Sequence, residues 1–503
     1  MRRVALAALV AASACTLSTP PRSPALVVGI RISPTNLDPG IGIDEASQRV
    51  GQLVFSSLLK IDDKLQVVPD LAVRFETTDS QTYVAEIPHG VRFHNGHEMT
   101  SADVAFTFRR YLDPAFVSSK KGAYRAIASI DVLDRYTVAF RLRQASAAFP
   151  INLAGAGIVP EGTGREAARA PVGSGPYRLT EFVPDDHVTL VPFPDYYAGA
   201  PKNAGVVLKV VPDETMRSLE LRKGDVDLVV NDIAPDVVHE LEQRDGLRVI
   251  QAPGIDWAYL GFNLRDPILR DPRVRQAIGY AIDTEAIVKY LRRGLARQTP
   301  GILPSVSWAS APDVFHFSYD PTRARQLLDA AGFADPDGDG PQPRLRLTLK
   351  TSTAEEPRLQ ASVIQQQLRE IGIALDLRSY EFATLMADVV RGNVQIYSLQ
   401  FVGVTDPDML RRVFHSSQVP PEGFNRGYYA NPAVDRLLDR AAVSLVPAER
   451  RDLYVEAQRL IADEAPVISL WAKTNVVVSQ AGISGITLSP TADFRFLQFV
   501  SRQ

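Results

Sequence analysis

Apolar and polar positions alternate along this chain with two different periods, and each switch of period marks an element. Residues 26–32, Leu-Val-Val-Gly-Ile-Arg-Ile, predict a strand, and the Pro, Asn and Asp of 33–39 predict the loop after it. Apolar residues at 50, 53, 54 and 58 give 46–59 the spacing of an amphipathic helix. Strands are expected at 83–87, 91–93 and 135–142, and Ser101 stands where it would cap a helix starting at Ala102, with Asp103 in its first turn. Glycine and alanine then crowd 154–175, as at a boundary between lobes. Beyond it, strands at 188–191, 206–211, 226–230, 344–350 and 373–378 alternate with helices at 214–223, 272–293, 321–331, 355–371, 431–444 and 447–464. Mixed elements without a dominant repeat predict an α/β chain of open sheets.

Composition narrows the class. A chain of 503 residues exceeds one compact core, so two or three lobes are expected. Fifty-five basic against 58 acidic residues leave a net charge of −3, with no cationic field for nucleic acid. The single cysteine, Cys15, excludes an internal disulfide framework and a cysteine zinc cluster. It follows Met1-Arg2-Arg3 and a small or apolar run over 4–14, which would span only about 16 Å as a helix and cannot cross a bilayer. That stretch reads as an export signal. Ala12-Ser13-Ala14-Cys15 resembles a lipoprotein lipobox, with Ala12 where Leu is preferred; the other reading is ordinary cleavage at Ala12-Ser13-Ala14. Residues 1–15 are thus signal and lipobox, and 16–25 a tether.

Catalytic signatures mostly fail. There is no P-loop and no complete G-x-G-x-x-G, and Gly173-Ser174-Gly175 lacks the outer spacing of a nucleophile elbow. His97-Glu98 begins an H-E-x-x-H whose closing position is Ser101, and Asp335 to Gly340 starts like a calcium loop whose twelfth position is Arg346. Aromatic residues point elsewhere. Trp257, Tyr259 and Phe262 crowd a hinge-like segment at 257–263, and Phe401 ends the run from Ile396; both runs pass into loops with glycine and polar groups, as walls of an interdomain pocket do.

Several ordered blocks resemble the oligopeptide-, dipeptide- and nickel-binding family of ABC-importer solute-binding proteins. They include Ser33-Pro34-Thr35-Asn36-Leu37-Asp38-Pro39, Gly90-Val91-Arg92-Phe93-His94-Asn95-Gly96 with Thr100-Ser101-Ala102-Asp103-Val104, Gly173-Ser174-Gly175-Pro176-Tyr177, Gly224-Asp225-Val226-Asp227, and 273–283. The resemblance runs from about residue 26 to about 480. It implies an α/β, two-lobed fold of the periplasmic-binding-protein type (type II, large cluster) with a hinged cleft and an extra inserted α+β domain. Lobe I would hold 26–45, 172–262 and 476–503, the inserted domain 46–171, and lobe II 263–475. The implied protein is an exported, monomeric receptor without catalytic residues, metal or cofactor. It would take a peptide-like or other small solute and present it to ABC permease subunits, from the periplasm or the outer face of the cytoplasmic membrane, held there by a lipid anchor. Nucleic acid is not an expected partner.

Ligand-facing positions are expected among Asn36, Asp44, Tyr124, Trp257, Asn263, Gln400, Phe401, Gly403, Asp406 and Arg426, with Lys121 and Arg125 as weaker candidates. Peptide binders of the family hold the α-ammonium with an Asp three residues before an Asp-Pro pair, with a Trp further upstream. Here the pair is Asp406-Pro407, and those two positions hold Gly403 and Gln400. Either Asp406 or Asp44 substitutes, or the loop shifts to realign an acid, or the amino terminus is not anchored this way. Arg426 suits a ligand carboxylate or phosphate, or equally a surface or interlobe ion pair. Two rival readings are a metal-dependent hydrolase using His94, His97 and Glu98, and a chaperone or signalling role on the same scaffold.

Overall fold

Leu26–Ile30 forms the expected strand, with side chains buried on both faces. The structure, a computed structural model, describes residues 24–503 apart from 339 and 422; the stretch expected to be an export signal with Cys15, most of the expected tether, and Asp339 lie outside the described residues. Leu26–Ile30 pairs in parallel with Val206–Val210 and Leu228–Val230, and the sheet continues antiparallel through His187–Pro192 to Tyr177–Val183. These strands are one half of an 11-stranded sheet. Ile396–Phe401, Leu345–Ser352 and Ile373–Tyr380 make the far edge of the other half.

Two long antiparallel strands, Leu247–Phe262 and Val467–Gln480, belong to both halves. Residues 247–253 pair with 474–480 beside Leu228–Val230, whereas 257–261 pair with 467–472 beside Ile396–Phe401. The register shifts between Pro253 and Trp257. Pro253 has no N–H to give the ladder, and a Cβ on Gly254 would lie 2.7 Å from the Lys473 carbonyl oxygen. A bulge of this kind bends a strand, so the two halves meet at 253–257. The segment 257–263, hinge-like in the sequence, lies just past that bend. Trp257 and Tyr259 pack on one face of the second half, and Ala258, Leu260 and Phe262 on the other. The alternation covers both faces of this half-sheet with core.

The inserted domain has its own sheet, in the order Arg74–Asp79, Thr82–Glu86, Thr137–Leu142, Ile127–Val132, and its own core between Leu58 and Ile158. Helix Ser101–Leu112 packs on it, with Thr100 rather than Ser101 as the cap; the Thr100 N–H donates to Asp103 Oδ2 at 2.8 Å. The sequence places 46–171 in this domain, but in helix Glu45–Val54 the residues Ala46, Val50, Leu53 and Val54 pack with Leu26, Val28 and Ile30 of the first lobe. The expected helix over 272–293 breaks after Pro272–Ala281, because the Asp283 carboxylate caps a new turn through the Ala286 N–H at 2.8 Å. Among the described residues no helix is long and apolar enough to cross a membrane.

Candidate ligand cleft

Two stretches of cavity follow the junction between the lobes. The larger, about 800 Å³, is bounded on one side by Lys120, Tyr124, Ser146 and Asn152 of the inserted domain. On the other side stand Gly403, Thr405, Asp406, Asp408 and Arg412 of the second lobe. The smaller, about 380 Å³, runs between Arg31, Arg217 and Asp232 of the first lobe and Arg292, Glu356, Gln400, Trp471 and Lys473 of the second. Inserted domain and second lobe also touch through the Ala147 N–H and the Ala442 carbonyl, 2.8 Å apart. Volumes of this size suit a small solute enclosed by polar and apolar walls.

The loop that carries the acids leaves the sheet after Phe401. Gly403 adopts φ +73°, a left-handed conformation that glycine reaches without Cβ strain. Its N–H donates to Asp256 Oδ1 at 3.0 Å, while Gln400 Nε2 donates to Asp256 Oδ2 at 3.2 Å and Lys473 Nζ stands 3.8 Å away. Asp256 thereby fixes the loop from the neighbouring strand. Further along, Asp406 accepts the Asp408 N–H at 2.7 Å, which starts the turn into helix Met409–Phe414. Burial pushes the Asp406 carboxyl up to about 6, against the lowering effect of the Asp408 N–H. Burial raises Asp408 as well, and its Oδ1 has no hydrogen-bond partner.

This architecture has clear relatives. The family model for bacterial extracellular solute-binding proteins, family 5 (Middle), matches residues 66–419. The chain belongs to this family. It is 30% identical to the glutathione-binding protein GsiB of Escherichia coli (strain K12), over 99% of this chain and 98% of that protein. It is 28% identical to the oligopeptide-binding protein AppA of Bacillus subtilis (strain 168), over 93% and 90%. The solved structure of Bacillus subtilis AppA with a nonapeptide superposes with a TM-score of 0.76 at 26% identity, covering 95% of this chain and 98% of that one. The ABC transporter substrate-binding protein CtaP of Listeria monocytogenes gives 0.85 at 25% identity, covering 95% and 99%.

Within this family-5 fold, the positions singled out in the sequence divide into three groups. Tyr124, Gly403 and Asp406 meet on the larger stretch of cleft, and Gln400 lines the smaller. Tyr124 stacks on Tyr111 with ring centroids 4.2 Å apart and gives its hydroxyl to the Asn152 carbonyl at 3.1 Å. A second group is engaged inside the second lobe. Trp257, Tyr259 and Phe401 stack at 4.5 to 6.1 Å, and Arg426 lies over Phe401 and Phe424 while donating to the Tyr259 hydroxyl at 3.1 Å. Asn263 spends its amide on the Gly392 and Val394 carbonyls. The third group shapes the first lobe: Asp44 caps Glu45–Val54 through the Ser47 N–H, and Asn36 accepts the Asp38 N–H. Lys121 turns to the Asp113 and Phe116 carbonyls, and Arg125 is not among the described residues that line either stretch of cleft. Asp256, Asp408 and Lys120 were not singled out. The Asp-Pro-Asp sequence at 406–408 offered a signal for Asp408; Asp256 needed the strand pairing.

The hydrolase trio does not converge. His94 sits on the seam between inserted domain and first lobe, with Nε2 3.1 Å from the Gly175 carbonyl and Nδ1 accepting the Gly173 N–H at 3.4 Å. Burial drives its pKa down to about 4, against the raising effect of the Gly175 carbonyl. Glu98 instead accepts from Arg135, Tyr136 and the Gly90 N–H, which together hold its carboxyl down at about 2. The His97 side chain is exposed. No cluster of three or more metal-ligating side chains occurs among the described residues. In the acidic turn, Asp337 accepts the Gln342 N–H and Asp335 pairs with Arg344 at 3.5 Å.

Proposed function

We propose that this family-5 protein is the solute-binding receptor of an ABC importer. It captures a peptide-like solute between the first lobe with its inserted domain and the second lobe, and delivers it to membrane permease subunits as an exported monomer anchored through a lipid on Cys15. The observation that carries the reading is the interlobe cleft of about 800 Å³, whose walls come from the separate cores of the inserted domain and the second lobe, with the second lobe joined to the first by two continuous strands. Bending at 253–257 would let the walls approach a solute without unfolding either core. The mechanism is non-covalent: solute contacts both walls, favours the closed arrangement, and the closed form engages the permease. The names of GsiB and AppA support small peptides, glutathione included, as the substrate class.

The test is a thermal-shift screen of the mature protein against di- to pentapeptides, glutathione, sugars and nickel. A bound solute at a hundred times its Kd adds about 2.7 kcal/mol of stability, so a peptide-class ligand raises the unfolding temperature by a clear margin. Absence of stabilisation by every solute, together with metal-dependent hydrolysis, would overturn the assignment. For the anchor, labelling with radioactive palmitate should mark the full-length chain and not Cys15→Ser; equal labelling, or none, refutes lipidation.

A further inference from the structure

Outside the cleft, the second lobe holds two cavities that share a neck. The outer one, about 260 Å³, is lined by Phe315, Phe317, Gln298 and the strand residues 467–470. The inner one, about 30 Å³, is walled by Trp257, Ile302, Val314, Leu410 and Phe414. Pro300, Ala462, Val467 and Ser469 line both, and neither cavity shares a lining residue with the two stretches of cleft. No Asp, Glu, Lys or Arg occurs among the described lining residues of either, whereas both stretches of cleft carry several. Phe315 packs edge to face on Phe317 with centroids 4.9 Å apart and is still 41% exposed, so apolar ring surface stands open to water. Polar groups are at hand as well. Gln298 donates through Nε2 to Thr284 Oγ1 at 3.0 Å, which leaves its carbonyl oxygen without a partner among the described residues. Within 467–473, the strand edge away from 257–261 is paired only at Ala472 and Lys473, by Ala296–Arg297.

We propose that this double cavity is a second binding site, for an uncharged aromatic molecule of one ring that carries a hydroxyl and a short apolar substituent. An apolar cavity of about 150 Å³ accepts benzene, so the outer cavity takes a substituted ring. About 15 Å³ suffices for one water, so the inner chamber has room for a group the size of a methyl. The ring covers Phe315 and Phe317, the methyl passes the neck toward Trp257, and the hydroxyl meets Gln298 or the open strand edge. A carboxylate or ammonium on the ring would lose water without gaining an ionic partner from the lining. Ser469 at the neck accepts the Trp257 indole N–H at 3.0 Å, and Trp257 stacks on Tyr259 and Phe401. The occupant therefore rests on the aromatic stack from which the Gly403 loop leaves the sheet, without entering the cleft.

Ligand-detected NMR titrations of the mature protein at pH 7.5 with p-cresol, phenol and 4-methylbenzoate test the assignment. p-Cresol should bind with a Kd below about 1 mM, about fourfold more tightly than phenol because its methyl is buried, and at least about tenfold more tightly than 4-methylbenzoate. Phe315→Ala, at an exposed ring that the fold does not need, should weaken p-cresol at least about threefold. Ala462→Leu, which fills the neck, should weaken it about tenfold or more. Trialanine and glutathione should leave p-cresol binding unchanged, since they would occupy the cleft. The proposal is overturned if p-cresol does not bind by about 5 mM, if phenol or 4-methylbenzoate binds as tightly, or if Phe315→Ala binds like wild type. Displacement of p-cresol by either peptide would place it in the cleft and overturn the proposal too, while leaving the receptor reading intact.

Discussion

Asp406→Asn should make the ligand-free protein more stable at neutral pH, although it removes a polar group from the cleft. The folded carboxyl titrates at about 6 rather than 3.8 because burial disfavours its charge. Between those two values the folded chain keeps a proton that the unfolded chain has already released. Stability from this group is therefore fully present below about pH 4, falls as pH rises to about 6, and stays reduced above. The difference corresponds to about 3 kcal/mol. Asparagine has the same shape, can still accept the Asp408 N–H, and carries no charge at any pH. Urea unfolding of ligand-free wild type and variant should show the variant ahead by up to about 3 kcal/mol at pH 7.5, with the gap closing by pH 4. A variant that is less stable at pH 7.5, or a gap that does not change with pH, would refute the reasoning. The comparison must be between the two proteins, because His94 pulls the wild-type curve the other way over much of the same range.

His94 gives the next expectation. Its pKa of about 4 means the unfolded chain binds a proton first, so its contribution to stability is present above about 6.5 and lost as pH falls toward 4; an NMR titration should find the ring neutral from pH 8 to 5, and protonation near 6.5 would contradict its burial. Gly173→Ala would place a Cβ 2.0 Å from the Val54 carbonyl oxygen at the seam where Gly175 N–H also bonds. It should cost about 2–4 kcal/mol by overpacking and loss of that bond, seen in denaturant unfolding, and an unchanged midpoint would show that the seam can relax. Arg426→Ala should lower stability by about 1–3 kcal/mol through loss of the Tyr259 bond and the ring stacking, yet leave peptide affinity within about twofold; a large loss of affinity would return Arg426 to the ligand.

Local signals in the sequence were followed closely where side-chain period and capping agreed. Helices Glu214–Lys223 and Pro447–Glu464 begin and end where the pattern placed them, the first between an Asp213 cap and a left-handed Gly224. Polar strands escaped: Arg74–Asp79 is RFETTD, which carries no apolar alternation and is a strand because Thr82–Glu86 pairs with it. Helix Glu45–Val54 was legible as a helix, but its lobe was not, since an amphipathic face does not name the sheet it will cover. At the cleft the same division holds. Gly403, Asp406 and Tyr124 could be picked out singly. Trp257, Phe401 and Arg426 looked equally suited to a ligand, and stacking against each other keeps them within the second lobe.

By itself the sequence determined the class of this protein: a mixed α/β chain of several lobes, with an export-like amino terminus and family-5 blocks in order. Those properties live in short windows, where periodicity, turn residues and motif spacing act within a few residues of each other. Tertiary structure decided which charges face one another. Asp256 reaches Gly403 across 147 positions of chain, and Lys120 lines the same cavity as Asp406 and Asp408 from a different domain. Such pairings depend on strand register and on how two cores sit about a shared sheet, and no local window of residues encodes either.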